Sequence, residues 1–122
     1  AGEMFVLSPD ASTGPGAMAI LVFGIDDAGN VAPRRRIAGA SVGLVNASAM
    51  VLDAQRGELV VGSGAFNATP ALRVFPRNGD GNIAPLRSIS GAATGVTGAS
   101  GWYSLAVVPA RDRIFSSGFE SP

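Results

Sequence analysis

The hydrophobic positions of this chain fall in short runs that Gly-, Pro-, Asn- and Asp-rich turns separate. Short runs with β-branched and aromatic residues, bounded by turn residues, are typical of β-strands. The spacing of an amphipathic helix does not recur along the chain. The pattern predicts strands at residues 4–7, 18–23, 34–37, 49–53, 58–61, 71–75, 86–89, 103–108 and 113–115. We therefore expect an all-β fold.

One phrase occurs twice in the sequence. "GNVAPRRRIAG" occupies residues 29–39, and "GNIAPLRSISG" occupies residues 81–91, 52 positions later. We call these two stretches the repeated segments. Asn and Gly tolerate left-handed backbone angles, and Pro fixes φ while donating no hydrogen bond. The repeated segments are therefore predicted to set up the turn into an edge strand, and to carry shape rather than chemistry.

The repeat extends beyond these segments. "ILVF" at residues 20–23 matches "LRVF" at 72–75, again 52 positions apart, whereas "RGELVV" at 56–61 matches "RDRIFS" at 111–116 with an offset of 55. "GEMFVL" at residues 2–7 is a further copy of the second pattern. A unit of about 50 residues that contains four short strands is typical of a β-propeller blade.

The succession "AMVLDAQRGELVV", "ALRVF" and "GNIAPLRSISG" resembles the NHL-type and related six- or seven-bladed β-propellers. The resemblance covers nearly the whole chain. It implies blades of four antiparallel strands, with residues 49–53 innermost, 58–61 second, 72–75 third and 86–89 outermost.

The phase of the repeat predicts about two blades within one repeat domain, residues 1–122. The predicted divisions are three strands of a first blade at 1–39, a complete second blade at 40–91, the start of a third at 92–117, and a tail at 118–122. An incomplete set of blades leaves apolar faces and strand edges uncovered. We therefore expect the partner to be either the remaining blades of a longer chain or further copies of this one.

The amino-acid composition limits the kinds of functional site that the chain can form. The chain is 47% hydrophobic and 15% charged, which favours a folded domain over disorder. Nine basic residues, all Arg, balance nine acidic ones, so no charge surplus indicates binding to nucleic acid or to an anionic membrane. The chain contains no Cys and no His, which excludes thiolate or imidazole zinc sites and His-dependent nucleophiles within it. We predict no catalytic residue, metal or cofactor here.

Charge is concentrated in the first repeated segment, where Arg34, Arg35 and Arg36 follow one another. Successive residues of a strand point to opposite faces, so Arg34 and Arg36 share a face that Arg35 does not. We interpret the run as a solvated outer strand that resists edge-to-edge aggregation.

Four residues are candidates for ligand binding. Trp102 and Tyr103, the only Trp and Tyr, precede a predicted inner strand, so in a propeller they would approach the mouth of the central channel. Such a pair could stack on a carbohydrate or another flat ligand, or on a peptide; the alternative is that Trp102 fills the core or an interface between blades. Asn46 and Asp53 are candidates because propeller lactonases, which the fold resembles, hold a central metal with Glu, Asn and Asp. The alternative for Asp53 is a turn-capping role in "LDAQRG".

Two functions from different classes follow. The first is a non-catalytic β-propeller repeat that acts as a scaffold or binding module. The second is part of a propeller lactonase or hydrolase whose metal site other blades complete. The end of the chain, "IFSSGFESP" at residues 114–122, resembles the tails of secreted proteins of certain Gram-negative bacteria. That resemblance implies an exported bacterial protein, periplasmic or extracellular.

Overall fold

The computed structural model describes residues 2–10, 12, 14–64, 69–97 and 105–108. These residues form two antiparallel sheets, and each sheet follows the order of the chain. The three-stranded sheet contains β1 (Glu3–Pro9), β2 (Met18–Gly24) and β3 (Arg35–Ile37). The four-stranded sheet contains β4 (Ala49–Asp53), β5 (Glu58–Ser63), β6 (Ala71–Pro76) and β7 (Arg87–Ser90). A short 3-10 helix, Ala92–Thr94, follows β7.

The all-β prediction is confirmed, and seven of the predicted strands lie at or within two residues of their expected bounds. The strand expected at 103–108 is wrong over its described part, because residues 105–108 form no ladder. Val107 and Val108 instead line a cavity beside the four-stranded sheet. The strand expected at 113–115 and the tail at 118–122 lie outside the described residues. No helix in the described ranges is long and apolar enough to cross a membrane.

The two sheets repeat one another in register. Val22 pairs with Arg35 in the first sheet, and Val74 pairs with Arg87 in the second, an offset of 52 for both strands. Glu3, which pairs with Gly24, corresponds to Glu58 at an offset of 55. The three-residue difference therefore lies in the hairpins that join β1 to β2 and β5 to β6. We call residues related by these offsets equivalent.

The repeated segments adopt the same conformation in both copies. Gly29 has φ of 80° and Gly81 has φ of 83°, in the left-handed region that favours glycine. The residue after each Pro donates its N–H to the middle strand, since Arg34 bonds the oxygen of Val22 and Leu86 that of Val74, both at 2.7 Å. Each segment leads into an edge strand, as the sequence predicted.

The core lies between the two sheets. Its members are buried apolar side chains from both sheets and from the connection between them: Ile20, Ile37, Val42, Leu44, Ala47, Leu59, Val61 and Phe75. Alternation along the strands gives each sheet a core face, which contributes to this cluster, and an opposite face. We call this opposite face the open face, because most of its side chains are half-buried or exposed, although Ala19 and Val74 on it are buried. Both sheets therefore depend on one shared hydrophobic contact.

Candidate binding site at Arg73

A cavity of about 360 Å³ lies at the end of the four-stranded sheet where β5 turns into β6. Both glycine backbone and polar side chains surround it. Among the described residues its lining is Gly43, Val45, Ser63, Gly64, Thr69 and Arg73.

Gly64 positions the wall of this cavity. Its φ is +88°, and a Cβ at this position would lie 1.8 Å from the carbonyl oxygen of Thr69. Its N–H donates to the oxygen of Val45 at 2.7 Å, which ties the connection between the sheets to the hairpin. Ser63, 1% exposed, donates its hydroxyl to the oxygen of Ala71 at 3.4 Å. The backbone around the cavity is therefore held from two sides.

Arg73 places a positive charge at this cavity. It lies on the core face of β6, where it pairs with Val61 and Ser88, and its side chain is half-buried. Among the described residues, its Nε is the fully buried side-chain nitrogen or oxygen that has no hydrogen-bond partner. A Cβ at Gly43 would lie 3.3 Å from the guanidinium carbon, so glycine there leaves room for the Arg73 head group.

The unpartnered Nε gives the site its chemical preference. A buried donor without an acceptor costs about 1–3 kcal/mol, which an incoming acceptor recovers. Guanidinium donors match carboxylate oxygens in a two-point contact. The ion pairs of the described residues belong to Arg34, Arg35, Arg36 and Arg87. Arg73 takes part in none of them, so its charge is available to a ligand.

Asn46 lies next in the chain to this cavity, after Val45. Its φ is 51°, the left-handed region that Asn tolerates, and its N–H donates to the oxygen of Gly16 at 2.8 Å. A Cβ at Gly16 would lie 2.5 Å from the Asn46 side-chain oxygen, so that side chain packs against the backbone of Gly16. The structure gives Asn46 a role in the connection between the sheets.

Asp53 lies at the opposite end of the four-stranded sheet, so the structure does not bring it together with Asn46. It is 7% exposed, and its Oδ1 accepts the N–H of Arg56 at 3.2 Å. This is the turn-capping geometry that was the alternative for Asp53. The other two candidates, Trp102 and Tyr103, lie outside the described residues.

A second cavity, of about 490 Å³, lies beside Asp53 on the open face of the four-stranded sheet. Two of its charged side chains, Glu58 and Arg87, are paired with each other. Arg87 donates to both oxygens of Glu58, at 3.0 and 3.1 Å, and these hydrogen bonds lower the pKa of Glu58 from its ordinary value. Within the described ranges, no group of three or more acidic side chains is placed to hold a metal ion.

The three consecutive arginines are each bound to a carboxylate. Arg34 pairs with Asp27 at 2.9 Å and Arg36 pairs with Asp10. Arg35 differs from the interpretation as a solvated strand, because it is half-buried against Glu3 and also donates to backbone oxygens of the second sheet's hairpin. Its position on the core face explains the difference.

Sequence reasoning missed Arg73, although a signal was present. In the matched runs "ILVF" and "LRVF", Leu21 is replaced by Arg73. A charge at an otherwise apolar strand position is costly unless something pairs with it. Comparisons of the chain with protein families, with curated proteins and with solved structures found no match.

Proposed function

We propose that this chain is a non-catalytic repeat module of the β-propeller type that acts as a binding scaffold, and that Arg73 receives the carboxylate of an acidic ligand. Two observations carry the proposal: Arg73 lines a cavity of about 360 Å³, and the Nε of the same guanidinium group is buried without a hydrogen-bond partner. A cavity of this size is within the usual range for small ligands. It suits one acidic side chain of a peptide or one sugar acid.

The propeller-type architecture is supported by the way the two sheets repeat. The four-stranded sheet is a simple meander in chain order, as a blade is, and the three-stranded sheet reproduces its last three strands in the same register. The resemblance to NHL-type repeats supports the same assignment. The resemblance of residues 114–122 to bacterial secretion tails supports an exported protein.

A titration followed by NMR tests the ligand site. N-acetylglutamate and galacturonate are the acidic probes, with N-acetylglutamine and galactose as their neutral counterparts. We expect the acidic probes alone to shift the amide signals of Gly43, Ser63 and Gly64. Arg73→Gln should abolish these shifts, because the amide cannot supply the guanidinium fork. Equal shifts from the neutral probes would contradict the carboxylate assignment.

A matched control is Arg56→Gln, which removes an exposed arginine at the opposite end of the same sheet. It should leave the response to the acidic probes unchanged. If Arg56→Gln weakened binding as much as Arg73→Gln, general charge attraction would explain the result and the site would be wrong.

The non-catalytic assignment has its own test. A chain that completes a metal-dependent hydrolase site would be stabilised by its metal, because a ligand of the folded state raises the melting temperature. We expect calcium and a chelator to leave the Tm unchanged. An increase with calcium that the chelator reverses would overturn the proposal in favour of the lactonase-type alternative.

A further inference from the structure

The three-stranded sheet exposes positions that its counterpart buries. Met4 and Val6 on its open face are 38% and 42% exposed. Their equivalents, Leu59 and Val61, are fully buried in the core between the sheets. Phe23, half-buried, corresponds in the same way to the buried Phe75. The open face of the first sheet is thus a second version of the core face of the second sheet.

The reverse relation holds on the other side of the molecule. Ile37, on the core face of the three-stranded sheet, is fully buried, whereas its equivalent Ile89, on the open face of the four-stranded sheet, is 46% exposed. Leu72, equivalent to the buried Ile20, is likewise only half-buried. The two open faces therefore correspond to the two surfaces that already pack together inside the chain.

The contact inside the chain is built on the second repeated segment. Gly81 forms a parallel bridge with Ile37, and it donates its N–H to the oxygen of Arg36 at 2.7 Å. The side-chain oxygen of Asn82 accepts the N–H of Ser41 at 2.8 Å. Ile83 packs against the core cluster. Gly81 and Asn82 are exposed, as are their equivalents Gly29 and Asn30, but Ile83 is half-buried whereas its equivalent Val31 is 45% exposed.

Arginine at the start of the edge strand completes the contact. Arg35 donates to the backbone oxygens of Arg77 at 2.6 Å and Gly79 at 3.2 Å, while it also pairs with Glu3. Its equivalent Arg87 keeps the pair with Glu58. Among the described residues, no backbone oxygen accepts a hydrogen bond from Arg87, whereas those of Arg77 and Gly79 accept from Arg35. Arg87 therefore keeps unused N–H donors on the open face, beside the cavity that Val107 and Val108 also line.

We propose that a second copy of this chain docks head-to-tail on the first. The open face of its three-stranded sheet covers the open face of the four-stranded sheet, and residues 29–31 take the place along β7 that residues 81–83 take along β3. The carbonyls of Ile25 and Asp27 of the docked copy then reach Arg87, and Asn30 reaches the N–H of Ala93. The inference rests on the repeat architecture of the proposed function.

The occupant is a second copy because the two open faces are equivalent to the two core faces that already pack together within the chain. In the docked pair, each open face therefore contacts the same type of surface that its equivalent core face contacts internally. Complementarity of packing and of hydrogen bonds is thus inherited from the internal contact. The two faces differ, so the association is heterologous. It closes into a ring or extends as a filament, according to the rotation between successive copies.

Site-specific crosslinking tests the geometry, since the chain has no cysteine of its own. Asn30→Cys and Ala93→Cys are prepared as separate variants, mixed, and treated with a short bis-maleimide. We expect the mixed dimer to dominate over dimers of either variant alone. The double variant Ser41→Cys/Asn82→Cys is the internal control, because these positions already touch. If the crosslink forms within the control variant but the mixed dimer is not in excess, the proposal is overturned.

Sedimentation velocity tests the face itself. The wild-type chain should associate as its concentration rises, and Ile89→Arg should weaken this association by at least about tenfold, since it places a charge at the centre of the interface. Leu86→Arg is the matched control. Leu86 is 56% exposed, and its equivalent Arg34 is engaged with Asp27 away from the contact between the sheets. It should associate like the wild type.

The outcomes separate this inference from the proposed function. A wild-type chain that stays monomeric at millimolar concentration, or an Ile89→Arg variant that associates normally, would overturn the docking. Binding of the acidic probes is measured on the Ile89→Arg monomer, since Arg73 lies on the other face of the sheet. The result of that binding measurement is therefore independent of whether the copies dock.

Discussion

Gly57 and Gly64 have similar left-handed backbone angles, with φ of +66° and +88°, but different surroundings. Nothing lies within 4 Å of a Cβ added to Gly57, whereas at Gly64 it would overlap the backbone of Thr69. Gly57→Ala should lower the free energy of unfolding by about 1–2 kcal/mol, the cost of left-handed angles for alanine. Gly64→Ala should cost about 3 kcal/mol or more, because backbone must move. Urea unfolding measures both, and equal losses would contradict the steric argument.

Residue identities explain how much of the candidate site the sequence could predict. The turn role of Asp53 follows from its position before "AQRG", because a short acidic side chain caps the backbone next to it. The site at Arg73 could not be derived in the same way. It depends on Gly43, thirty positions earlier in the chain, whose backbone leaves room for the guanidinium group. Only the fold brings the two residues together.

At the scale of the strand, one ion pair recurs in each sheet. Glu3 and Arg35, like Glu58 and Arg87, join the first residues of two strands diagonally across the strand between them. Hydrogen bonds from the arginines lower the pKa values of both glutamates from their ordinary value of 4.5. Their contribution to stability is therefore complete above about pH 4.5 and is lost as the pH falls through the lowered values.

The expected pH dependence can be measured. The urea midpoint of the wild-type chain should decrease as the pH is lowered from about 5 to about 2, the range over which carboxylates with lowered pKa values become protonated. Glu3→Gln/Glu58→Gln should start from a lower midpoint at neutral pH and lose less on acidification. Asp10 and Asp27 also have lowered pKa values, from hydrogen bonds of Ser12 and of Gly24 respectively, so some dependence should remain. A double variant with the full wild-type slope would contradict this account.

The strands themselves were largely predictable, since short β-branched runs between turn residues leave few other conformations. The exception at 105–108 shows the limit of that reasoning. An apolar run such as "LAVV" indicates burial, but a strand also needs a neighbour for its backbone hydrogen bonds. Val107 is half-buried and lines the cavity on the open face of the four-stranded sheet, without joining its ladder. Strand pairing requires two segments, so the hydrophobic pattern of one segment alone does not predict it.

At the scale of the whole molecule, the shared core predicts that the two sheets unfold together. Ile37 is fully buried in the cluster between them, so Ile37→Ala should cost about 2–5 kcal/mol. Hydrogen exchange should report that loss at slow amides of both sheets, in β2 and in β6 alike. Val6→Ala is the control, because Val6 is 42% exposed, and it should cost less than about 1 kcal/mol. Loss of protection in β2 alone would show two independent sheets.

The offset of 52 residues that relates β2 and β3 to β6 and β7 also bears on how such a chain can lengthen. Because equivalent positions are 52 residues apart in β2, β3, β6 and β7, a stretch of that length carries both sides of the contact that joins one sheet to the next. Tandem duplication of residues 40–91 in the gene would supply a new sheet with its own point of attachment already in frame. Growth by whole increments would then require no compensating change in the older part of the protein.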